Sequence, residues 1–158
     1  MRKFDGFYRG INLGGWLSQG SLEKEHLDTF ITEKDILAIK EMGVDHIRIP
    51  VDFELIEDEQ GNLLEDGHTY IRKGIDWCLN NGLNVVLDLH KAAGYVFDDA
   101  EYSNGFFDNE ALQERFINLW KVLATRYGNH PDRVALEILN EVVDPEVADK
   151  WNAIAKRT

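Results

Sequence analysis

The feature that most constrains this chain is a fourfold alternation of short, largely apolar runs with longer amphipathic ones. The apolar runs fall at about residues 7–13, 44–50, 83–90 and 133–139. Each is followed by a segment with helical spacing. With Ile11, Ile47, Val86 and Ile138 as strand markers, the steps are 36, 39 and 52 residues. Such steps predict strand-helix units, with parallel strands joined by right-handed crossovers. The rhythm fits a closed barrel and an open sheet alike. No GxGxxG and no phosphate loop occurs, which takes weight from a nucleotide-binding open sheet.

The helical segments carry their own punctuation. Thr32-Glu33-Lys34-Asp35 is a helix-start signature with Thr32 as N-cap, and Gly43 is placed to end that helix. Ile71, Ile75 and Cys78 mark a second helix, closed by Asn81-Gly82. Asp108 or Asn109 caps a third, whose apolar residues Leu112, Phe116, Leu119, Leu123 and Tyr127 step by 4, 3, 4 and 4. Asp144-Pro145 opens a fourth, with Val147, Trp151 and Ile154 on its apolar face. The run Leu83–His90 reads as a strand covered on both faces. Long loops are expected at about 17–31, at 52–68 and after His90, the last carrying Tyr95, Phe97, Tyr102, Phe106 and Phe107.

At 158 residues and 44% hydrophobic content, the chain is expected to form a single globular domain. Its formal net charge of −12 argues against nucleic acid or an anionic membrane as partner, since both need basic surface. A neutral substrate is compatible with it. No segment approaches the roughly 20 apolar residues of a membrane span. Met1–Gly6 lacks the apolar run of a signal peptide, so the expectation for the chain as it stands is cytoplasmic, or secreted if a leader was removed. The lone cysteine, Cys78, can form no internal disulfide and reads as a small core residue. There is no HExxH, no clustered Cys/His spacing and no GxSxG, so neither a metal site nor a nucleophile elbow is expected.

In strand-helix repeats, ligands gather at the carboxyl ends of the strands. The fourth run ends in Asn140-Glu141. A carboxyl there can protonate a leaving oxygen, or serve as a salt-bridged structural group. Asn140 can donate to a sugar hydroxyl or simply turn the chain. Strict alternation would send the two to opposite faces, so a shared site requires the strand to bend. Arg48 lies in a strand expected to be buried and therefore needs a partner, structural or functional. His90 can bind substrate or shuttle a proton; Asp88, two residues before it, is the obvious candidate for a buried structural partner. His46 shares the parity of Arg48 and its ambiguity. The aromatic loop from Tyr95 to Phe107 can stack sugar rings or pack on itself.

Four ordered motifs then carry a resemblance. They are Gly10-Ile11-Asn12-Leu13-Gly14-Gly15-Trp16, His46-Ile47-Arg48-Ile49-Pro50, Leu87-Asp88-Leu89-His90 and Glu137-Ile138-Leu139-Asn140-Glu141. Together they resemble glycoside hydrolase family 5, most nearly its clostridial endoglucanase C-type members. Lys24-Glu25-His26, the run Phe30–Asp35 and Ala93-Gly94-Tyr95 resemble the same group. The resemblance implies an α/β chain of four β/α units, the N-terminal half of a (β/α)8 TIM barrel. It implies retaining hydrolysis of β-glucans or gluco-oligosaccharides without metal or cofactor. Glu141 then matches the acid/base, Asn140 a ligand of the substrate 2-hydroxyl, Arg48 a support for the nucleophile and His90 a substrate contact. The family's nucleophilic Glu belongs to strand seven, beyond these four units. An isolated half-barrel would expose strand edges, so a homodimer of half-barrels is the competing expectation.

Overall fold

The computed structural model describes residues 4–97 and 105–158. Four parallel strands form one sheet in chain order: β1 Gly10–Asn12, β2 His46–Asp52, β3 Asn84–Lys91 and β4 Val134–Glu137. Helices between and after them include α1 Lys24–Thr29, α2 Glu33–Glu41, α3 Glu65–Asn80, α4 Glu110–Tyr127 and α5 Ala148–Arg157. This is the α/β architecture expected.

Register sorts the side chains. Ile47 pairs with Val85, Ile49 with Leu87 and Val51 with Leu89; all six are buried, forming the apolar face of the sheet. Helix α3 packs against that face so closely that a Cβ on Gly74 would stand 3.2 Å from Ile49 Cδ1. The opposite face carries Asn12, Arg48, Asp88, His90 and Glu137. The expectation that β3 is covered on both faces holds toward its carboxyl end, where Asp88 and His90 are buried as well, but the two layers differ in kind. Val85, Leu87 and Leu89 meet the apolar layer, while Asp88 and His90 belong to a polar one. The mostly apolar run is an alternating strand, with Val86 the apolar exception on its polar side.

The helix boundaries follow local chemistry. Asp35 accepts hydrogen bonds from the Thr32 backbone N–H at 2.8 Å and from its hydroxyl at 2.7 Å, fixing the start of α2. Gly43 follows this helix at φ 78° and Gly82 follows α3 at φ 76°, the left-handed conformation that glycine tolerates best. Of the two candidates for the α4 cap it is Asn109 that serves, accepting from Ala111 N at 3.0 Å and Leu112 N at 3.3 Å. Asp144 accepts from Glu146 N at 2.8 Å ahead of a short 3-10 turn, and α5 follows.

Other boundaries move. The first strand spans only Gly10–Asn12, because the N–H groups of Tyr8 and Arg9 bond the Asp45 carboxylate instead of a neighbouring strand. The expected loop at 17–31 contains α1, whose six residues are too few for a periodic signal. It is held by Trp16 Nε1 donating to the Leu27 carbonyl at 3.1 Å. Helix α3 begins earlier than its apolar pattern, at Glu65. Gly67 permits that start, since a Cβ there would lie 1.8 Å from the Leu55 carbonyl oxygen. Cys78 is fully buried, and burial pushes its thiol up to about 12.

Candidate active site

The site assembles on the polar face of the sheet around Arg48. Its Nε donates to Glu137 Oε2 and its Nη2 to Glu137 Oε1, both at 2.8 Å, a fork-to-fork pair between β2 and β4. Nη1 donates to Asn12 Oδ1 at 2.9 Å on β1. Nη2 also reaches Asn140 Oδ1 at 3.0 Å and Asp88 Oδ2 at 2.8 Å. One guanidinium thus ties all four strands together. Glu137's two bonds come first in pushing Arg48 above its ordinary value, with the charges of Asp88, Glu137 and Glu141 adding to them.

Asp88 is the most enclosed member of this group, with no exposed surface. Its Oδ2 meets His90 Nδ1 at 2.8 Å as well as Arg48. Its Oδ1 has no hydrogen-bond partner among the described residues. Burial pushes the Asp88 carboxyl above its ordinary value; His90 and Arg48 pull it back only in part.

After Glu137 the chain leaves the ladder, and the bend required for Asn140 and Glu141 is present. Three bonds hold the departing segment. Trp120 Nε1 donates to the Ile138 carbonyl at 2.9 Å, Asn140 N to the Leu89 carbonyl at 3.3 Å, and the Tyr95 hydroxyl to the Glu141 carbonyl at 2.8 Å. Glu141 takes a left-handed backbone, φ 50°, and its side chain is exposed. A positive φ at a non-glycine residue is uncommon and costs about 1–3 kcal/mol, sustained here by those three anchors. Burial, with the charge of Glu141 second, pushes the Tyr95 phenol up to about 12.

All four residues singled out from the sequence therefore lie in one region. Arg48 contacts Asn140 directly, His90 joins through Asp88, and Glu141 follows Asn140 at the exposed rim. His46 does not join them. It pairs with Asp45 at the amino end of β2, its Nδ1 2.7 Å from Asp45 Oδ1. Of the aromatic loop, Tyr95, Phe106 and Phe107 are buried and pack edge to face or tilted on one another, with centroids 5.2–6.1 Å apart. Phe97 is exposed, and Tyr102 lies outside the described residues. Sequence reasoning missed Glu137, Asn12 and the Tyr95 hydroxyl as members of the site. Glu137 carried one usable signal, a carboxylate two residues after Ala135 on the parity that faces Arg48 across the sheet.

Among the described residues, no group of three or more His, Cys, Asp or Glu side chains is arranged to hold a metal ion. A cavity of about 740 Å³ lies away from the Arg48 group, between α1, residues 53–55 and the start of α3. None of the Arg48 group lines it.

Comparison with known proteins places this geometry. The family model described as Cellulase (glycosyl hydrolase family 5) matches residues 10–158. Cellodextrinase A of Ruminococcus flavefaciens is 46% identical over 155 residues, which cover 98% of this chain and 46% of that protein. Endoglucanase C of Acetivibrio thermocellus is 48% identical over 151 residues, covering 94% of this chain and 43% of that one. Among solved structures, Thermotoga maritima Cel5A in complex with cellobiose superposes with a TM-score of 0.75 at 28% identity, over 96% of this chain and 46% of that chain. The chain spans about half the length of these relatives, and its four β/α units correspond to half of their TIM barrel. A polar sheet face tied together by one arginine, a buried Asn140 beside an exposed Glu141 just past the fourth strand and a family match from Gly10 to Thr158 agree: the chain belongs to the cellulase family, glycosyl hydrolase family 5.

Proposed function

We propose that these four β/α units carry the acid/base half of a retaining β-glucan hydrolase, with Glu141 as the group that protonates the glycosidic oxygen and then activates water. The observation that carries this reading is the Asn140-Glu141 step. Glu141 is exposed just past the end of β4, on a backbone held in an uncommon conformation, beside an amide whose oxygen is fixed by Arg48. Strain of this kind is concentrated at functional sites. Asn140 turns its oxygen to Arg48, which can only donate, so its NH2 is left to donate to a sugar hydroxyl. His90 supplies a second substrate contact.

Retaining hydrolysis needs a second carboxyl, about 5–5.5 Å from the first. Glu137 gives both oxygens to Arg48, and Asp88 is fully buried, so neither is offered as a nucleophile. We place the nucleophile on a later strand of the barrel and read the 158 residues alone as inactive. The substrate class is a β-glucan or gluco-oligosaccharide.

The test is Glu141→Gln in a complete barrel carrying this half. Turnover of an unactivated β-glucan should fall by about 10²–10⁴-fold, the usual contribution of general acid-base catalysis, while binding persists. Undiminished turnover would overturn the assignment.

A second reading is favoured by the sheet itself. Among the described residues β1 and β4 each pair on one side only. Two copies could supply eight strands and cover those edges, giving a non-catalytic glucan-binding homodimer. A strictly monomeric mass in solution would remove this reading.

A further inference from the structure

Asp88 has no part in the chemistry just proposed, yet it is the most buried charged group of the site. Its Oδ2 receives two contacts at 2.8 Å, one from Arg48 Nη2 and one from His90 Nδ1. An ionised carboxylate only accepts hydrogen bonds. The guanidinium on the same oxygen favours the ionised form, because a proton there would face a cation at contact distance. The imidazole nitrogen opposite Asp88 must then carry the hydrogen. A neutral imidazole has one hydrogen to place, so Nε2 is left as a lone pair.

We infer that Asp88 is a positioning residue: by holding His90 as its Nδ1–H tautomer, it makes His90 Nε2 a hydrogen-bond acceptor toward the substrate. The same logic acts on Asn140, where Arg48 claims the amide oxygen and leaves the amide nitrogen as donor. The site accordingly offers one acceptor and one donor, each polarity set from behind by a charged group. That arrangement suits sugar hydroxyls, which both donate and accept. An Nε2–H tautomer would give two donors and leave a donating hydroxyl without an acceptor. Partners of this kind behind a functional histidine fix its ring orientation and tautomer.

The inference about substrate rests on the proposed function, whereas the tautomer does not, so the two fail separately. The experiment is long-range ¹H–¹⁵N correlation of the imidazoles in the 158-residue chain at about pH 8, where a free histidine is neutral. His90 should show Nδ1 protonated and Nε2 unprotonated. In Asp88→Ala no acceptor faces Nδ1, and the pattern should shift to Nε2–H, the tautomer a free imidazole favours. A merely structural Asp88 would leave the tautomer where it was. In a complete barrel, Asp88→Ala should also lower kcat/KM by about tenfold, as expected for one lost hydrogen bond to substrate. An Nε2–H signal in the unmodified chain overturns the inference without any variant, which covers the case where Asp88→Ala fails to fold. An unchanged Nδ1–H signal in folded Asp88→Ala overturns it too. Inversion of the tautomer with full activity in Glu141→Gln would leave Asp88's role standing and remove only the catalytic reading.

Discussion

Two aspartate-histidine pairs sit on this sheet, alike in contact and opposite in the direction their carboxyls are shifted. Asp45 meets His46 at 2.7 Å at the amino end of β2, and Asp88 meets His90 at 2.8 Å toward the carboxyl end of β3. Asp45 is partly exposed and saturated, also accepting from Tyr8 N at 2.9 Å and Arg9 N at 3.0 Å. Desolvation works to raise it, but His46 and the two backbone N–H groups outweigh that and hold it at about 2. Asp88 is fully enclosed, leaves Oδ1 without a partner among the described residues, and is pushed the other way. A histidine neighbour therefore does not decide the state of a carboxyl; the number of donors and the reach of water do. One pair clamps the N-terminal segment to the sheet. The other keeps unused capacity at the end of the sheet where Asn140 and Glu141 lie.

The contrast is broken most severely by removing the cation that only the second pair has. Arg48→Met keeps much of the aliphatic stem and deletes the guanidinium, leaving Asp88 and Glu137 as neighbouring carboxylates without a counter-charge. Stripping one partner from a buried ion pair costs about 3–5 kcal/mol, and partial exposure of Glu137 puts the expected loss near about 3 kcal/mol. Urea unfolding at pH 7 measures it. A loss below about 1 kcal/mol, the range of exposed pairs, would mean that Asp88 is solvated much as Asp45 is.

Next in size is a test on a buried histidine whose ring meets a tyrosine hydroxyl where the other two meet a carboxylate. His68 is fully buried on α3, with Nδ1 2.9 Å from the Tyr127 hydroxyl, which itself donates to the His68 carbonyl at 3.2 Å. Burial lowers His68 from 6.5 to about 4. The native state then binds fewer protons than the unfolded state between those values. The stability contribution is intact above 6.5 and is lost as pH falls toward about 4. Its limiting slope is about 1.4 kcal/mol per pH unit. Unfolding free energies at pH 7, 6 and 5 should fall more steeply for the unmodified chain than for His68→Gln. Parallel slopes would show that burial alone does not neutralise a histidine here, and that Asp88 needs another explanation.

How much of this was legible beforehand differs between the two levels. The four strands and their helices were, because a period of two and a period near 3.6 are written in local residue types. The need for a partner at Arg48 and the pairing of Asp88 with His90 were legible from charge and from an i, i+2 spacing on one strand. The partner itself was not. Glu137 lies 89 residues from Arg48, and only the register of three strands brings them together. Helix α1 escaped notice for want of length, and β1 was overestimated because Asp45 takes the N–H groups that would have extended it. The bend before Asn140 was a stated requirement of a shared site. The groups that hold it were not legible: Tyr95 belonged to a loop open to sugar stacking or self-packing and Trp120 to a helical segment, and a sequence does not reveal where an indole N–H or a phenol points.

The finest test titrates the two aspartates side by side. Carboxyl ¹³C shifts should give Asp45 a midpoint near about 2 and Asp88 one above 3.8. The stability consequences have opposite sign. Asp45, depressed in the fold, stabilises above its unfolded value of 3.8, and that contribution is lost as pH falls through about 2. Asp88, raised in the fold, takes up its proton more readily when native, so acidification through its midpoint favours the folded state. Asp45→Asn removes the first effect alone. It should speed amide exchange at Tyr8 and Arg9, whose N–H groups lose a charged acceptor, and leave exchange in β3 unchanged. The expected change in global stability is the smallest of the set, because the pair is partly exposed and the segment it clamps can loosen by itself. Exchange that accelerates across β3 as well would mean that the two ends of the sheet open as one unit, and the division between a clamp at one end and a site at the other would not hold.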